Sequence, residues 1–152
     1  MSEYNALSIV RYLLEKKPLS NLTIQKLLYL IQAKSLSVND SPVFNDDIQA
    51  WRYGPVVPSV YSKLNGFGSS NIDLDTLDFI LQWNSIEVSE LDERTESLVH
   101  EVFLKYGNRD PFELVDLTHS FPAWNDAFEE GENIKITNGS IKRCHKDKKY
   151  EI

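Results

Sequence analysis

Apolar residues recur at helical spacing along most of the chain, and this pattern predicts a mainly α fold. The first periodic segment covers residues 5–17 and ends before Pro18, which cannot continue a helix. The second covers residues 23–38, with Thr23 as its predicted N-cap. Its apolar side chains occupy a wide arc, beside a polar stripe at i, i+4 and i+7: Gln25, Tyr29 and Gln32. So broad an apolar surface predicts a central, largely buried helix.

Shorter helices are predicted for the rest of the chain, each with its own start or stop signal. Three of them are predicted to begin at prolines: Pro58, Pro111 and Pro122. The others cover residues 73–83, residues 93–106 after an Asp92 cap, and residues 140–148. Residues 43–51 are expected to hold a short extended segment, and the glycine-containing residues 65–71 to form a mobile loop. Asn138-Gly139 is expected to be a turn.

The stretch from residue 48 to residue 58 is the least helical and the most distinctive part of the chain. Gly54 can adopt backbone angles that other residues avoid, and Pro55 fixes its own φ and restricts Gly54, so we expect a sharp corner. The corner carries two large amphipathic rings around one permanent charge: Trp51, Arg52 and Tyr53. Two interpretations remain open. Arg52 either satisfies helix-end carbonyls or a carboxylate inside a buried hinge, or it is displayed to contact a ligand.

Residues 116–124 form a second informative stretch, because they place His119 at a predicted helix exit and Trp124 just after a proline-started turn. In one interpretation His119 caps the carbonyls of the preceding helix and Trp124 packs in the core. In the other, both residues join the corner in one aromatic, arginine-bearing surface of the kind enriched at interface hot spots. The candidate partner-binding residues are Trp51, Arg52, Tyr53, Gly54, Pro55, His119 and Trp124.

The length of 152 residues suits one domain, which can bury roughly 70% of its unfolded surface. The net charge is −7, but residues 142–152 hold five basic and two acidic side chains, so they carry +3 and leave −10 on residues 1–141. We therefore expect a compact single-domain multi-helix bundle over residues 1–141, with at most a short accessory β segment. Residues 142–152 are expected to be a basic helix end followed by a ragged, solvated tail.

Charge and helix composition both argue against nucleic-acid binding. An acidic body repels phosphate backbones, so only the basic tail supports the alternative of a DNA-binding regulator. The first two helices and their short connection have the outline of a helix-turn-helix, yet a recognition helix must present polar side chains to the groove. The second helix is mostly Leu and Ile, with Lys26 and Lys34 as its cations, and core packing explains it better.

Cysteine usage and hydropathy indicate a cytoplasmic protein without a membrane anchor. The single Cys144 cannot form an internal disulfide, which fits a reducing compartment. The longest apolar clusters, such as residues 27–31, are far too short to cross a bilayer.

No set of residues in the sequence predicts a cofactor, a metal site or an enzyme. Cys144-His145 is one adjacent pair without a second pair at ligand spacing, and His100 and His119 stand alone. Nucleotide-binding and nucleophile-elbow motifs are absent from the sequence. The remaining catalytic alternative is a small hydrolase or transferase that uses His119 with Asp116, Asp46 or Asp47.

Four segments of the chain, in this order, resemble the Panacea domain family, also described as phage-associated GepA-like or SocA-like. They are residues 23–32 (TIQKLLYLIQ), residues 44–58 ending in AWRYGPVVP, residues 102–107, and residues 117–124 with LTH and PAW. The resemblance spans nearly all of residues 5–145, and the Trp-Arg-Tyr-Gly-Pro-x-x-Pro sequence is its most specific part.

The resemblance implies a compact helical antitoxin domain that binds and neutralises a protein toxin encoded beside it. Family members pair with unrelated toxin classes, so the toxin's identity is not implied. Relatives can also act as adaptors that deliver a toxin to a protease, and this alternative remains open. Some members carry an extra N-terminal DNA-binding domain that this sequence lacks, which weakens the expectation of operon repression. A monomer and a homo-oligomer also remain open.

Overall fold

The computed structural model describes residues 2–152, and these contain eight α-helices joined by short strands and turns. The helices are α1 (Ala6–Lys16), α2 (Asn21–Asn39), α3 (Pro58–Leu64), α4 (Leu74–Trp83), α5 (Glu93–Tyr106), α6 (Pro111–His119), α7 (Pro122–Ala127) and α8 (Asn138–Lys146). The strands are β1 (Leu19–Ser20), β2 (Ile48–Trp51), β3 (Gly54–Val56), β4 (Asn71–Ile72) and β5 (Ile134–Ile136). Single 3-10 turns, Asn65–Phe67 and Lys148–Tyr150, follow α3 and α8. The predicted mainly α fold is confirmed.

Helix α2 is the centre of the molecule. Residues 27–31 are fully buried because α5, α6, α8 and β3 pack around this helix. The polar stripe of α2 is buried as well and is satisfied by hydrogen bonds. The Gln32 side chain accepts the Val43 N–H at 2.7 Å and donates to the Phe44 carbonyl at 2.9 Å, so it fixes the loop that leads to β2.

The N-terminus of α2 differs from the prediction. The helix begins at Asn21, and the hydroxyl of Ser20 accepts the Thr23 N–H as the N-cap. Thr23 was the predicted cap, and this was wrong because a serine with an extended backbone stands three residues earlier in the chain. The same extended backbone lets residues 19–20 form strand β1.

The outer helices follow their capping signals closely. Each of three aspartates accepts a backbone N–H of the first helical turn: Asp73 before α4, Asp92 before α5 and Asp110 before α6. Prolines open α3, α6 and α7 at their first positions, as predicted. Within residues 2–152, none of the helices has both the length and the apolar character that crossing a membrane requires.

Two small antiparallel sheets complete the fold. β3, β2 and β5 form the larger sheet, in which Trp51 lies opposite Gly54 and Ile48 lies opposite Ile136. β1 pairs with β4 and places Leu19 opposite Ile72. The predicted extended segment is thus confirmed in β2, whereas its partner strands were not predicted. Residues 65–71, the predicted mobile loop, contain a 3-10 turn and the start of β4, and their mobility stays a prediction.

The C-terminal segment corrects two expectations. Asn138-Gly139 is not a separate turn, because Thr137 caps Ser140 and both residues begin α8. The expected ragged, solvated tail was also wrong. Helix α8 packs on α2, and the chain beyond it folds back so that His145 and Ile152 are buried. The positive charge of this segment therefore lies on the outer face of a packed element.

Candidate functional site

The predicted corner is the tip of a β-hairpin. β2 and β3 are joined by Arg52 and Tyr53, and Gly54 follows with a φ of 110°. A positive φ at this point lets the chain reverse within two residues, which a β-carbon would oppose. Arg52 and Tyr53 therefore project outward, and 60% of Tyr53 is exposed.

The side chains packed against position 54 also require a glycine there. A β-carbon at this position would lie 2.8 Å from Oγ1 of Thr118 and 3.0 Å from Cε of Lys26. Gly54 and Pro55 are buried, so α2 and α6 press directly against the hairpin backbone. The corner is consequently a rigid part of the fold, with its base inside and its tip outside.

His119 and Trp124 hold the hairpin tip from the side of α6 and α7. The His119 Nε2 lies 2.9 Å from the Arg52 carbonyl, and because a carbonyl can only accept, this nitrogen carries the proton. The Trp124 Nε1–H donates to the Trp51 carbonyl at 2.8 Å. The two rings stack with centroids 4.1 Å apart at 27°. The structure thus brings together the two stretches that the sequence singled out, and their binding role stays a prediction.

The buried-hinge interpretation of Arg52 is wrong. Its side chain is exposed, and within residues 2–152 it makes neither an ion pair nor a side-chain hydrogen bond. The carbonyl of Arg52, rather than its guanidinium, holds the corner in place. His119 likewise does not cap α6, because Ser120 supplies that contact through its hydroxyl to the Leu117 carbonyl at 2.6 Å.

Trp51 forms the other wall of the tip. It is half-buried and packs edge-on against Tyr61 of α3, with ring centroids 4.8 Å apart. Its Nε1–H donates to the Gln49 side chain at 2.8 Å. The ring is therefore held in one orientation before any partner arrives, which lowers the entropy cost of a contact.

Lys26 is the residue of this region whose role the sequence did not reveal. It has no exposed surface, and its ammonium group donates to the Pro55 carbonyl at 2.8 Å. Burial without a carboxylate partner lowers the pKa of Lys26 to about 7. A signal was present, because Lys26 stands between Gln25 and Leu27 in a helix whose arc is almost wholly apolar, where a cation cannot easily reach water.

The catalytic alternative finds no support in this geometry. The recorded partners of His119 are a backbone carbonyl and an indole ring, and no carboxylate is among them. Asp46 accepts the Ala6 N–H at 2.8 Å, and Asp47 pairs with Lys135 at 3.1 Å, so both serve other parts of the fold. Among residues 2–152, no three His, Cys, Asp or Glu side chains gather as metal ligands would.

Comparison with known proteins relates the chain to one group. The family described as "Antitoxin SocA-like, Panacea domain" matches residues 24–125, which include the hairpin, His119 and Trp124. The chain is also similar to Antitoxin SocA of Caulobacter vibrioides (strain NA1000 / CB15N), with 27% identity over 149 residues. That alignment covers 93% of this chain and 79% of the relative. No solved structure matches the chain.

Proposed function

The chain belongs to the SocA-like Panacea domain family, and we propose that it is an antitoxin that neutralises a cognate protein toxin by direct contact. The family match over residues 24–125 carries this proposal, because the match includes the whole hairpin and the three side chains that anchor it: Lys26, His119 and Trp124. The proposed activity needs binding alone and no reaction.

The contact surface that we propose is the hairpin tip together with the rings that flank it. We call it the tip surface, and it consists of Trp51, Arg52, Tyr53 and His119, supported from below by the buried ring of Trp124, which stacks on His119. Aromatic and arginine side chains dominate the energy of protein interfaces, because they bury a large area at a low entropy cost. Arg52 and Tyr53 are exposed here, while the hairpin backbone at and beside them is fixed by three side-chain bonds. An exposed group on a rigid frame is suited to tight binding.

The test is co-expression with the protein encoded by the adjacent reading frame. The neighbour alone should stop growth, and growth should return when this chain is expressed with it. The two proteins should also co-elute as one complex. A neighbour that is harmless alone, or that stays toxic beside this chain, contradicts the proposal. Measuring the toxin's abundance separates the two modes, since occlusion leaves the toxin level unchanged whereas delivery to a protease lowers it.

The role of the tip surface is tested by Arg52→Ala combined with Tyr53→Ala. Both side chains are exposed, so the double variant should keep its unfolding midpoint and lose neutralisation. The matched control is Arg94→Ala, which removes an exposed cation from α5, on another element. The control should neutralise like the parent protein. Full neutralisation by the double variant would show that the toxin binds a different surface of the protein.

A further inference from the structure

A cavity of about 270 Å³ opens beside the hairpin tip, between β2, α3 and the first turns of α2. Trp51 and Tyr61 form an aromatic wall, and Arg52 and Tyr53 stand at the tip end. Lys26 forms the back of the cavity, where its ammonium group is covered by the hairpin. The cavity is large enough for one side chain and is smaller than the usual site for a free cofactor.

The lining of this cavity is positively biased in an acidic protein. It contains two cationic side chains, Arg52 and Lys26, and no Asp or Glu. Four other surface pockets on the described part of the chain each include at least one carboxylate. Residues 21–22 also line the cavity, and they form the first turn of the 19-residue helix α2, where the helix dipole is positive. Three independent sources of positive potential therefore meet in one concave site.

Arg52 has the free bonding capacity that such a site requires. Its guanidinium makes neither an ion pair nor a side-chain hydrogen bond within residues 2–152, so its planar fork can receive both oxygens of a carboxylate. The recorded hydrogen bond of Lys26 goes to a neutral carbonyl, and its charge is not compensated by a carboxylate within 4.0 Å. A bound carboxylate would supply that compensation through the cavity.

We propose that this cavity binds the carboxylate of an aspartate or glutamate side chain that the toxin inserts beside the hairpin tip. This inference rests on the proposed function and specifies the chemistry of the contact. Arg52 binds the carboxylate directly at the tip end, the aromatic wall covers the methylene groups, and Lys26 stabilises the charge from behind. Arg52 is the contacting residue and Lys26 the positioning charge.

The first experiment needs no toxin. The probe is blocked glutamate (N-acetyl-glutamate N-methylamide), and the matched control probe is the corresponding blocked glutamine. Each is titrated into the full chain while the ¹³Cε signal of Lys26 is followed by NMR against pH. Burial holds the pKa of Lys26 at about 7 in the free protein, so a bound carboxylate should move this titration to higher pH. Blocked glutamine should not move it.

The outcomes of the probe experiment are decisive for the cavity. A saturable response to blocked glutamate alone, which is lost in Arg52→Gln, supports the proposal. An equal response to both probes, or no response to either, overturns it. Because the toxin is absent, this result does not depend on whether the chain is an antitoxin.

The second experiment uses the complex with the neighbouring gene product. Arg52→Gln should weaken binding at least about tenfold, and Lys26→Met should weaken it less, because its charge acts without direct contact. Arg94→Gln is the control and should bind normally. A complex that forms with unchanged affinity in both cavity variants overturns the carboxylate contact and leaves the antitoxin function standing. If no complex forms but the probe experiment is positive, the antitoxin function is contradicted and the carboxylate site stands.

Discussion

At the scale of single residues, Lys26 departs most from its expected behaviour. A lysine that folds with a pKa of about 7 has to give up part of its charge or keep it in a poorly solvated site. The offset from the ordinary value of 10.5 corresponds to about 5 kcal/mol at most, since each unit of pKa is about 1.4 kcal/mol. A buried charge of this kind weakens the fold, so its presence calls for a role outside stability.

Lys26→Met should therefore stabilise the protein. Methionine fills a similar volume without the charge, but it orphans the Pro55 carbonyl at a cost of about 1 to 3 kcal/mol. The expected net gain at pH 7 is about 2 to 4 kcal/mol in the free energy of unfolding, measured by urea denaturation. Lys148→Met, at an exposed position, should change it by less than about 0.5 kcal/mol.

Lys26→Met also predicts how stability should change with pH. The unfolded chain binds more protons than the folded one between pH 7 and pH 10.5, so the stability of the parent protein should rise with pH across this window. The difference between the parent protein and Lys26→Met should shrink accordingly as pH increases. A difference that stays constant from pH 7 to pH 10 would show that Lys26 keeps an ordinary pKa.

Gly54→Ala should be strongly destabilising, because it meets two separate obstacles. The positive φ of 110° alone costs about 1 to 3 kcal/mol for a residue with a β-carbon, and the 2.8 Å approach to Thr118 adds a steric term. Gly68→Ala separates the two, since Gly68 also has a positive φ but no atom within 4 Å of its added β-carbon. We expect thermal unfolding to show a clearly larger loss of stability for Gly54→Ala than for Gly68→Ala. Equal losses would mean that α6 can move away from the hairpin.

At the scale of elements, α8 is tied to α2 through a buried histidine. The His145 Nδ1–H donates to the Tyr150 carbonyl at 2.7 Å, which leaves Nε2 to accept the Tyr29 hydroxyl at 2.6 Å. Accepting the Tyr29 hydroxyl needs the neutral ring, whereas the donation to the Tyr150 carbonyl would survive protonation. Burial lowers the pKa of His145 below its ordinary value, and the bond to the Tyr150 carbonyl opposes this shift. The helix and the chain after it are therefore held by a group that acid would charge.

Acid should weaken this attachment. His145 binds a proton more readily in the unfolded chain, so its contribution to stability is complete above about pH 6.5 and falls as pH drops below that value. Urea unfolding at pH 7.5 and pH 5.5 should show the loss in the parent protein and a smaller one in His145→Gln. His100→Gln provides the comparison with a histidine of α5. Equal pH dependence in the parent protein and His145→Gln would contradict the assignment.

The helices could be predicted from sequence because their signals are local. Asp73, Asp92 and Asp110 each act within three residues of the groups that they cap, and prolines mark the next starts. Strands β1 and β5 could not be predicted in this way. They have two and three residues, and each exists only because a partner distant in the chain lies beside it. For Lys26 the sequence of α2 gave a hint of burial, but its contact with the Pro55 carbonyl could not be predicted, because the hairpin that supplies it is distant in the chain.

At the scale of the whole molecule, net charge and local charge have different consequences. The chain carries −7 overall, so a basic toxin would be attracted over long distances, whereas the cavity at the tip is locally positive and is proposed to bind one acidic side chain at short range. The two effects are compatible, because a single carboxylate on a basic protein barely alters its net charge. In the proposed complex, long-range attraction would set how fast the proteins meet, and the cavity would set how they are aligned.

This separation predicts how salt affects the complex. Raising the ionic strength from about 0.1 M to about 0.5 M should slow association with the toxin roughly tenfold, since it shortens the screening distance well below 10 Å. Dissociation should change much less, and stopped-flow or surface-based kinetics can measure both rates. Association that is insensitive to salt would remove charge steering from the binding mechanism.

The three bonds that hold the hairpin all end on main-chain oxygens, at positions 51, 52 and 55. Every amino acid has such an oxygen, so the anchoring does not depend on which side chains stand at positions 52 and 53. Residues 52 and 53 can therefore be substituted without loss of the hydrogen bonds that anchor the hairpin. Under the proposed function, substitutions at positions 52 and 53 should change which toxin is bound while the anchoring of the hairpin and the fold stay the same.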